Sequence, residues 1–336
     1  MTDQRTNDFI KRFEHSNTNA MFWRNLWDDA YDMFIPNRNT INNRTVGETR
    51  NARVFDTTGV LAVNAFTSKM HSALTPPGMH WARLSPGSEL TDEEAEQIAP
   101  ALDKATEVFF NFLNQSNFEL AVNESFFDLA IGTGALQIHE GDDDNPFNFA
   151  AVPLEQVAVE EGPFGKIETV WRRFEDVPFR NVKSMWPDAK IPLEVEQAVK
   201  GKPNAKLDFV EGTIFEPSNK PGKKDKYRYL VIEMGTKEII VERVTESSVW
   251  VVYRWSKTPN EVFGRGPAMN ALPSMLTLNK IAEFEMKAGQ LAITPPWLGF
   301  RSGAFNPYTF QIMPNTIIPV DPIGAENQVP LRPLRS

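Results

Sequence analysis

Residues 264–300 read GRGPAMNALPSMLTLNKIAEFEMKAGQLAITPPWLGF. A glycine-flanked turn opens a long amphipathic run, which stops at a Pro-Pro pair followed by an aromatic. Pro267 suits the first turn of a helix, where its missing N–H costs nothing, and the periodic pattern holds to about Leu291. At about 1.5 Å per residue this predicts a rod of roughly 40 Å. Ala268, Leu272, Met275, Leu276, Ile281 and Phe284 form its apolar stripe, while Lys280, Glu283 and Lys287 supply polar faces. Pro273, one turn in, can bend the start. Gly264-Arg265-Gly266 lacks the Lys and the hydroxyl with which a phosphate loop holds phosphate and Mg²⁺. Gly264, Gly266 and Pro267 are therefore read as a hinge and start signal, and the run behind them as a structural rod.

Upstream, from Gly134 to Trp255, the texture is that of strands. ALQIHE, FAAVP, QVAVEE and KIETVWRRFE are short, β-branched and broken by turn residues. A helical interlude near 178–200 separates them from LDFVEGTIFE, YRYLVIEM, KEIIVERV and SVWVVYRW, which read as one antiparallel meander with Gly235-Thr236 turning a hairpin. The first 132 residues are helical. Trp23, Leu26, Trp27, Tyr31 and Phe34 mark one apolar face, closed by Pro36, and a second helix runs from about Thr57 to Leu74 with Leu61, Ala65 and Met70 apolar. Two capping-box patterns, Thr91-x-x-Glu94 and Ser116-x-x-Glu119, open helices carrying Ile98, Leu102, Ala105, Phe109 and Phe112, then Phe126, Phe127 and Ala130, with Gly132 as the stop. After Ile293 the chain is dense in Pro, Gly and aromatics, a small loop-rich domain. The fold class is α+β.

The 336 residues are 41% apolar and 24% charged, which describes a globular chain with room for more than one packed unit. No window approaches the apolar length of a membrane span, and the start MTDQRTNDF has no secretory h-region. The absence of cysteine excludes disulfides, thiolate catalysis and Cys-ligated metals. Against 44 acidic residues stand 35 basic ones, so tight sequence-independent DNA binding by the whole surface is disfavoured.

No constellation carries chemistry. His15, His71, His80 and His139 have no metal-like spacing. Ser72, His71 and Asp56 lack a nucleophile elbow. Gly132-Thr133-Gly134 is a place for close packing rather than a nucleotide loop. Asp142–Asp144 could ligate a cation but lacks ordered ligand spacing, and the run Lys220, Lys223, Lys224, Lys226, Arg228 sits in a hairpin loop. The expectation is no catalytic residues, no cofactor and no metal: not an enzyme.

Three stretches together carry a resemblance. Residues 54–84 (VFDTTGVLAVNAFTSKMHSALTPPGMHWARL), 123–140 (NESFFDLAIGTGALQIHE) and 264–299 closely resemble the portal, or head-to-tail connector, proteins of short-tailed, T7-like bacteriophages. The resemblance implies a homo-oligomeric ring of about twelve subunits at one capsid vertex. Double-stranded DNA would pass through it without sequence readout, driven in by a terminase and released at ejection. Its partners would be the terminase large subunit, tail and adaptor proteins, and capsid and scaffolding proteins, with no membrane involved. It would be assembled in the host bacterial cytoplasm and carried in the virion. Mapped here, 1–263 would be the wing (helical 1–132, strand-rich 133–256), 264–293 the first stem helix and 294–336 the clip. Lys280, Glu283 and Lys287 become candidates to face the channel or a neighbouring stem helix. Trp297, Phe300, Arg301 and Tyr308 become candidates for clip packing and partner docking. The family continues into a second stem helix and a crown, so the chain, ending in VPLRPLRS, is expected to be part of a longer polypeptide. Three alternatives remain: another capsid-vertex adaptor, a metal-dependent nuclease or hydrolase built on Asp142–Asp144, and a monomeric DNA-binding module using loops 37–53 and 220–228.

Overall fold

A computed structural model describes residues 4–36, 54–142, 145–202, 204–218 and 224–293, together with the backbone of 297–300, 317–320 and 331–333. It is an α+β fold that divides into two compact units, residues 1–50 with 57–272 and residues 51–56 with 273–336.

In the first unit, helix α1 (Gln4–Phe34) is longer than its apolar pattern predicts. Trp27, Tyr31 and Phe34 are buried as expected, but the amino-terminal half is held by Ile10, Phe13 and two polar residues, Thr6 and Ser16. The anchor there is Glu160. Its carboxylate accepts from Arg12 Nε at 2.7 Å, Ser16 Oγ at 2.7 Å and Trp171 Nε1 at 2.8 Å. Hydrogen bonds to a charged group of this kind stabilise without leaving a periodic signature in the sequence.

Helix α2 (Thr58–Leu74) and helix α3 (Asp92–Gln115) exist where expected, with their buried faces turned. In α2 the buried residues are Gly59, Val63 and Thr67, whereas Leu61 is 66% exposed and Ala65 is exposed as well. Small side chains at four-residue spacing let α2 approach α4 (Phe118–Ile131) closely, and Met70 reaches Val122, Phe126 and Leu129. In α3 the buried face is Thr106, Phe110 and Leu113, one residue round from the predicted stripe, which leaves Ile98 and Phe109 about two-fifths exposed. The adjacent Phe109-Phe110 pair allows either stripe, and packing on Leu136 and Phe149 selects the second. The Thr91/Glu94 capping box forms. The Ser116/Glu119 box does not. Ser116 closes α3, donating to the Leu113 carbonyl at 2.6 Å, and Asn117 opens α4. The Asn117 side chain instead pairs with the backbone of Phe149, donating at 2.7 Å and accepting at 2.8 Å.

Five strands form the antiparallel meander β3 (Val157–Glu161), β4 (Ile167–Pro178), β5 (Lys206–Glu216), β6 (Lys226–Glu233) and β7 (Glu238–Thr245). The expected final strand, β8 (Trp250–Arg254), leaves it. It pairs antiparallel with β1 (Thr133–Glu140), whose other edge takes β2 (Phe147–Ala151). The reason is backbone satisfaction: β1 is buried at its start and needs a ladder on both sides. Gln137 of β1 also ties the two sheets together. It donates to the Glu211 carboxylate of β5 at 2.5 Å and accepts from Arg172 of β4 at 2.8 Å. Burial pushes the Glu211 carboxyl up and the Arg172 guanidinium down from their ordinary values, and the pair opposes both shifts. Short helices α5 (Phe179–Met185) and α6 (Leu193–Ala198) follow β4. Val182 and Trp186 pack on Phe209, Val231 and Ile240 of the meander.

Helix α7 (Pro267–Ile293) contributes residues to both units. In the second unit, Asn279 Oδ1 accepts the backbone N–H groups of Phe55 at 2.7 Å and Asp56 at 3.2 Å. The same unit holds a mixed sheet in which β9 (Trp297–Phe300) is flanked by parallel β10 (Ile317–Val320) and antiparallel β11 (Leu331–Pro333). No helix among the described residues is long and apolar enough to cross a membrane.

Candidate functional site

Gly132 meets Gly264 and Gly266, from more than a hundred residues later in the sequence, in the first unit. Gly132 ends α4, and a Cβ built on it would lie 2.0 Å from the Gly264 carbonyl oxygen. A Cβ on Gly266 would lie 2.1 Å from the Ala130 carbonyl oxygen and 2.5 Å from the Ile131 carbonyl carbon. Only hydrogen fits at either place, because the neighbour is backbone and cannot rotate away. The contact is a hydrogen-bonded weave. Gly266 N donates to the Ile131 carbonyl at 2.8 Å, Trp255 N to Gly132 at 2.9 Å and Arg265 N to Ser256 at 2.8 Å. Gly264 N donates to the Thr133 hydroxyl at 2.9 Å.

Side chains clamp the same strap from outside. Phe263 is buried edge-on against Trp27 at 4.9 Å and against Trp23 at 6.1 Å. Arg265 sits over the Trp23 ring at 4.9 Å while pairing in fork geometry with Glu261 at 2.6 and 2.8 Å. That pairing raises the guanidinium pKa and lowers that of the carboxyl. Arg254 donates to the Glu161 carboxylate at 2.7 Å, the Val262 carbonyl at 3.0 Å and the Gly165 carbonyl at 2.5 Å. The chain therefore enters α7 with its backbone bound on every side, and Ala268, Met269 and Leu272 continue the buried surface.

The three residues expected as a hinge thus lie in this junction, Gly264 and Gly266 buried and Pro267 half-buried. Further along α7, Glu283 accepts from Lys280 at 2.7 Å and from Lys287 at 2.5 Å. Those two bonds hold its carboxyl below the usual range. Beside them Leu276, Ile281 and Phe284 of the apolar stripe, with Met286, are each 44–57% exposed. Trp297 and Phe300 fall at the two ends of β9, and Arg301 and Tyr308 lie outside the described residues.

The weaker sequence candidates resolve into structural roles where they are described. Ser72 donates to the Lys69 carbonyl of its own helix at 3.0 Å. His80 stacks on Phe110 at 4.6 Å, and burial, then Arg172, lowers the pKa of His139. Asp142 closes a turn by accepting the Asn145 N–H at 2.7 Å, while Asp143 and Asp144 lie outside the described residues. In the basic run, Arg228 is paired with Glu216 at 2.5 Å and with Glu242, and Lys224 lies 3.4 Å from Glu246. Among the described residues no three His, Asp or Glu side chains converge on a metal site. Sequence reading missed Thr133, Phe263 and Arg254. The one available signal was the repeated Gly-x-Gly spacing at 132–134 and 264–266.

Fold and junction together define an α+β protein whose most elaborate local geometry fixes the start of a helix. The chain matches the family described as "Bacteriophage head to tail connecting protein" over residues 6–335, and it belongs to that family. Among curated relatives it is 22% identical over 272 residues to the "Probable portal protein" of Bordetella phage BPP-1, covering 78% of this chain and 49% of that one. It is 23% identical over 307 residues to the "Portal protein" of Salmonella phage epsilon15, covering 85% of this chain and 52% of that one. The chain thus spans about half the length of the curated relatives it matches.

Proposed function

We propose that this chain is the wing, first stem helix and clip of a phage portal, residues 1–263, 264–293 and 294–336 in turn. About twelve copies close into a ring by head-to-tail interfaces at one capsid vertex. Double-stranded DNA enters through the ring under the drive of a terminase and leaves through it at ejection. Tail and adaptor proteins dock at the clip, and capsid and scaffolding proteins surround the wing. The protein contributes architecture and no catalysis.

The observation that carries this reading is the surface of α7. Large apolar side chains exposed in succession on one helix are costly in water and mark a covered interface. The charged residues of the same helix, the salt-linked Lys280, Glu283 and Lys287 together with Glu285, balance to zero. A channel wall needs that balance, because a strongly basic one would bind phosphates and stall the duplex. The close-packed junction supplies a fixed start for such a helix. The test is native mass spectrometry with negative-stain imaging, on this chain and on the complete reading frame. Rings with a central hole are expected; a monomer from the complete frame ends the proposal.

A further inference from the structure

A second surface asks for a partner. Between α5 and α6 lies a cleft of about 470 Å³ into which Arg180, Lys183, Lys200 and Lys202 converge against a single carboxylate, Glu196. Among the described residues none of these four cations is in an ion pair, although Arg228, Arg254, Lys257 and Arg265 all are. In a chain of net charge −9 this is a local positive field held together at its own electrostatic cost. The remaining walls are apolar: Phe179, Ile191 and Val199.

The occupant must satisfy both halves. Duplex DNA would use the cations and leave the apolar walls uncovered; a short acidic peptide segment bearing one exposed aliphatic side chain covers both. One such segment is on this chain. At the start of α3, residues 88–96 (SELTDEEAE) present Glu89, Asp92, Glu93 and Glu96 to solvent, with Leu90 40% exposed among them. The turn is already ordered by its capping box, in which Glu94 accepts from Thr91 N at 3.0 Å and from Thr91 Oγ1 at 2.8 Å, so docking costs little conformational entropy. The cleft belongs to elements packed on the five-stranded sheet, and α3 is packed on α4, β1 and β2. Two different patches of one chain, opposite in charge, make the head-to-tail contact that a closed ring requires.

We infer that the α5–α6 cleft receives the acidic turn 88–96 of a second copy of this chain. The inference rests on the ring reading above, and its test separates the two. Because the chain has no cysteine, Glu89→Cys combined with Lys200→Cys can form only the disulfides introduced by design. A ladder of cross-linked multimers on a non-reducing gel is expected from the double variant and not from either single one. Lys183→Glu with Lys200→Glu should weaken association about tenfold, and adding Glu89→Lys with Asp92→Lys should restore it. In parallel, the anisotropy of a labelled peptide spanning 87–97 reports cleft occupancy without a ring, and should fall with added salt. Assembly without ladder, charge rescue or peptide binding overturns the inference and leaves the ring standing. Peptide binding, with the complete reading frame still monomeric, supports the cleft and sinks the ring. Binding of duplex DNA in place of the peptide overturns the assignment of the occupant.

Discussion

Replacing Gly266 with alanine tests the junction most directly. The new Cβ would stand 2.1 Å from the Ala130 carbonyl oxygen, 2.5 Å from the Ile131 carbonyl carbon and 2.6 Å from its oxygen. All three are backbone atoms at the end of a buried helix, so relief requires the strap and α4 to separate by about 1 Å. A displacement of that size stretches the 2.8 Å bond from Gly266 N to Ile131 and the 2.9 Å bond from Trp255 N to Gly132 beyond useful range. Two buried amide pairs lost, at about 1–2 kcal/mol each, plus about 1–3 kcal/mol of overpacking, predict a destabilisation of roughly 3–7 kcal/mol. Gly87→Ala is the internal control: nothing lies within 4 Å of its Cβ position, and the change should stay within about 0.5 kcal/mol. The assay is urea unfolding followed by tryptophan fluorescence, since Trp23 and Trp27 both contact Phe263 in the strap. A loss below about 1 kcal/mol relative to Gly87→Ala would refute close backbone packing as the anchor of α7.

Other outcomes follow from the same geometry. Asn117→Ala removes both hydrogen bonds to the Phe149 backbone and should cost about 2–3 kcal/mol in the same unfolding assay, with Asn117→Asp losing only the donor half. The Tyr253 phenol is pushed up to about 12 by burial, with the Asp128 carboxylate adding to the shift and the Ser125 hydrogen bond opposing it. Since the folded state favours the neutral phenol, this contribution is intact below the ordinary value near 10 and is lost as pH rises from about 10 to about 12, at most roughly 2–3 kcal/mol. Ultraviolet titration of tyrosinate should lose the component ionising near pH 12 in Tyr253→Phe, while Tyr229, which burial pushes up further still, is unaffected. Glu283→Lys removes both ion pairs and turns the charge of α7 from balanced to net positive. Assembled rings carrying it should retain duplex DNA at low salt and release it as salt rises, in a filter-binding measurement where the unaltered ring retains little.

How much of this was legible in the sequence differs from element to element. The rod at 267–293, the Thr91/Glu94 box, the strand texture and the Gly132 stop all come from local chemistry: a Pro tolerated in a first turn, a side chain that caps its own helix, alternation on a pleat. The misreadings share a cause. In α3 two adjacent stripes were each apolar enough to bury, and the choice between Phe109 and Phe110 lay with Leu136 and Phe149; in α2 the close approach of α4 selected the small residues Gly59, Val63 and Thr67 over Leu61. β8 had a strand's composition, but its partner depended on the unpaired edge of β1 more than a hundred residues earlier. Site residues divide the same way. The repeated Gly-x-Gly spacing could be seen as unusual, whereas the contact of Gly132 with Gly264 and Gly266 could not.

By itself, then, the sequence determined the α+β class, the near-neutral rod, the lack of thiol chemistry and, through three spaced stretches, the connector family. Those properties depend on residue type and short-range periodicity, which survive at any separation from the rest of the chain. Only the tertiary structure decided which helix faces are buried, which sheet β8 joins, how Gly132, Gly264 and Gly266 interlock, and that Arg180, Lys183, Lys200 and Lys202 share one cleft. Each of these is a contact between segments distant along the chain, and such contacts are set by shape and backbone satisfaction across the whole packed body, which no local window contains.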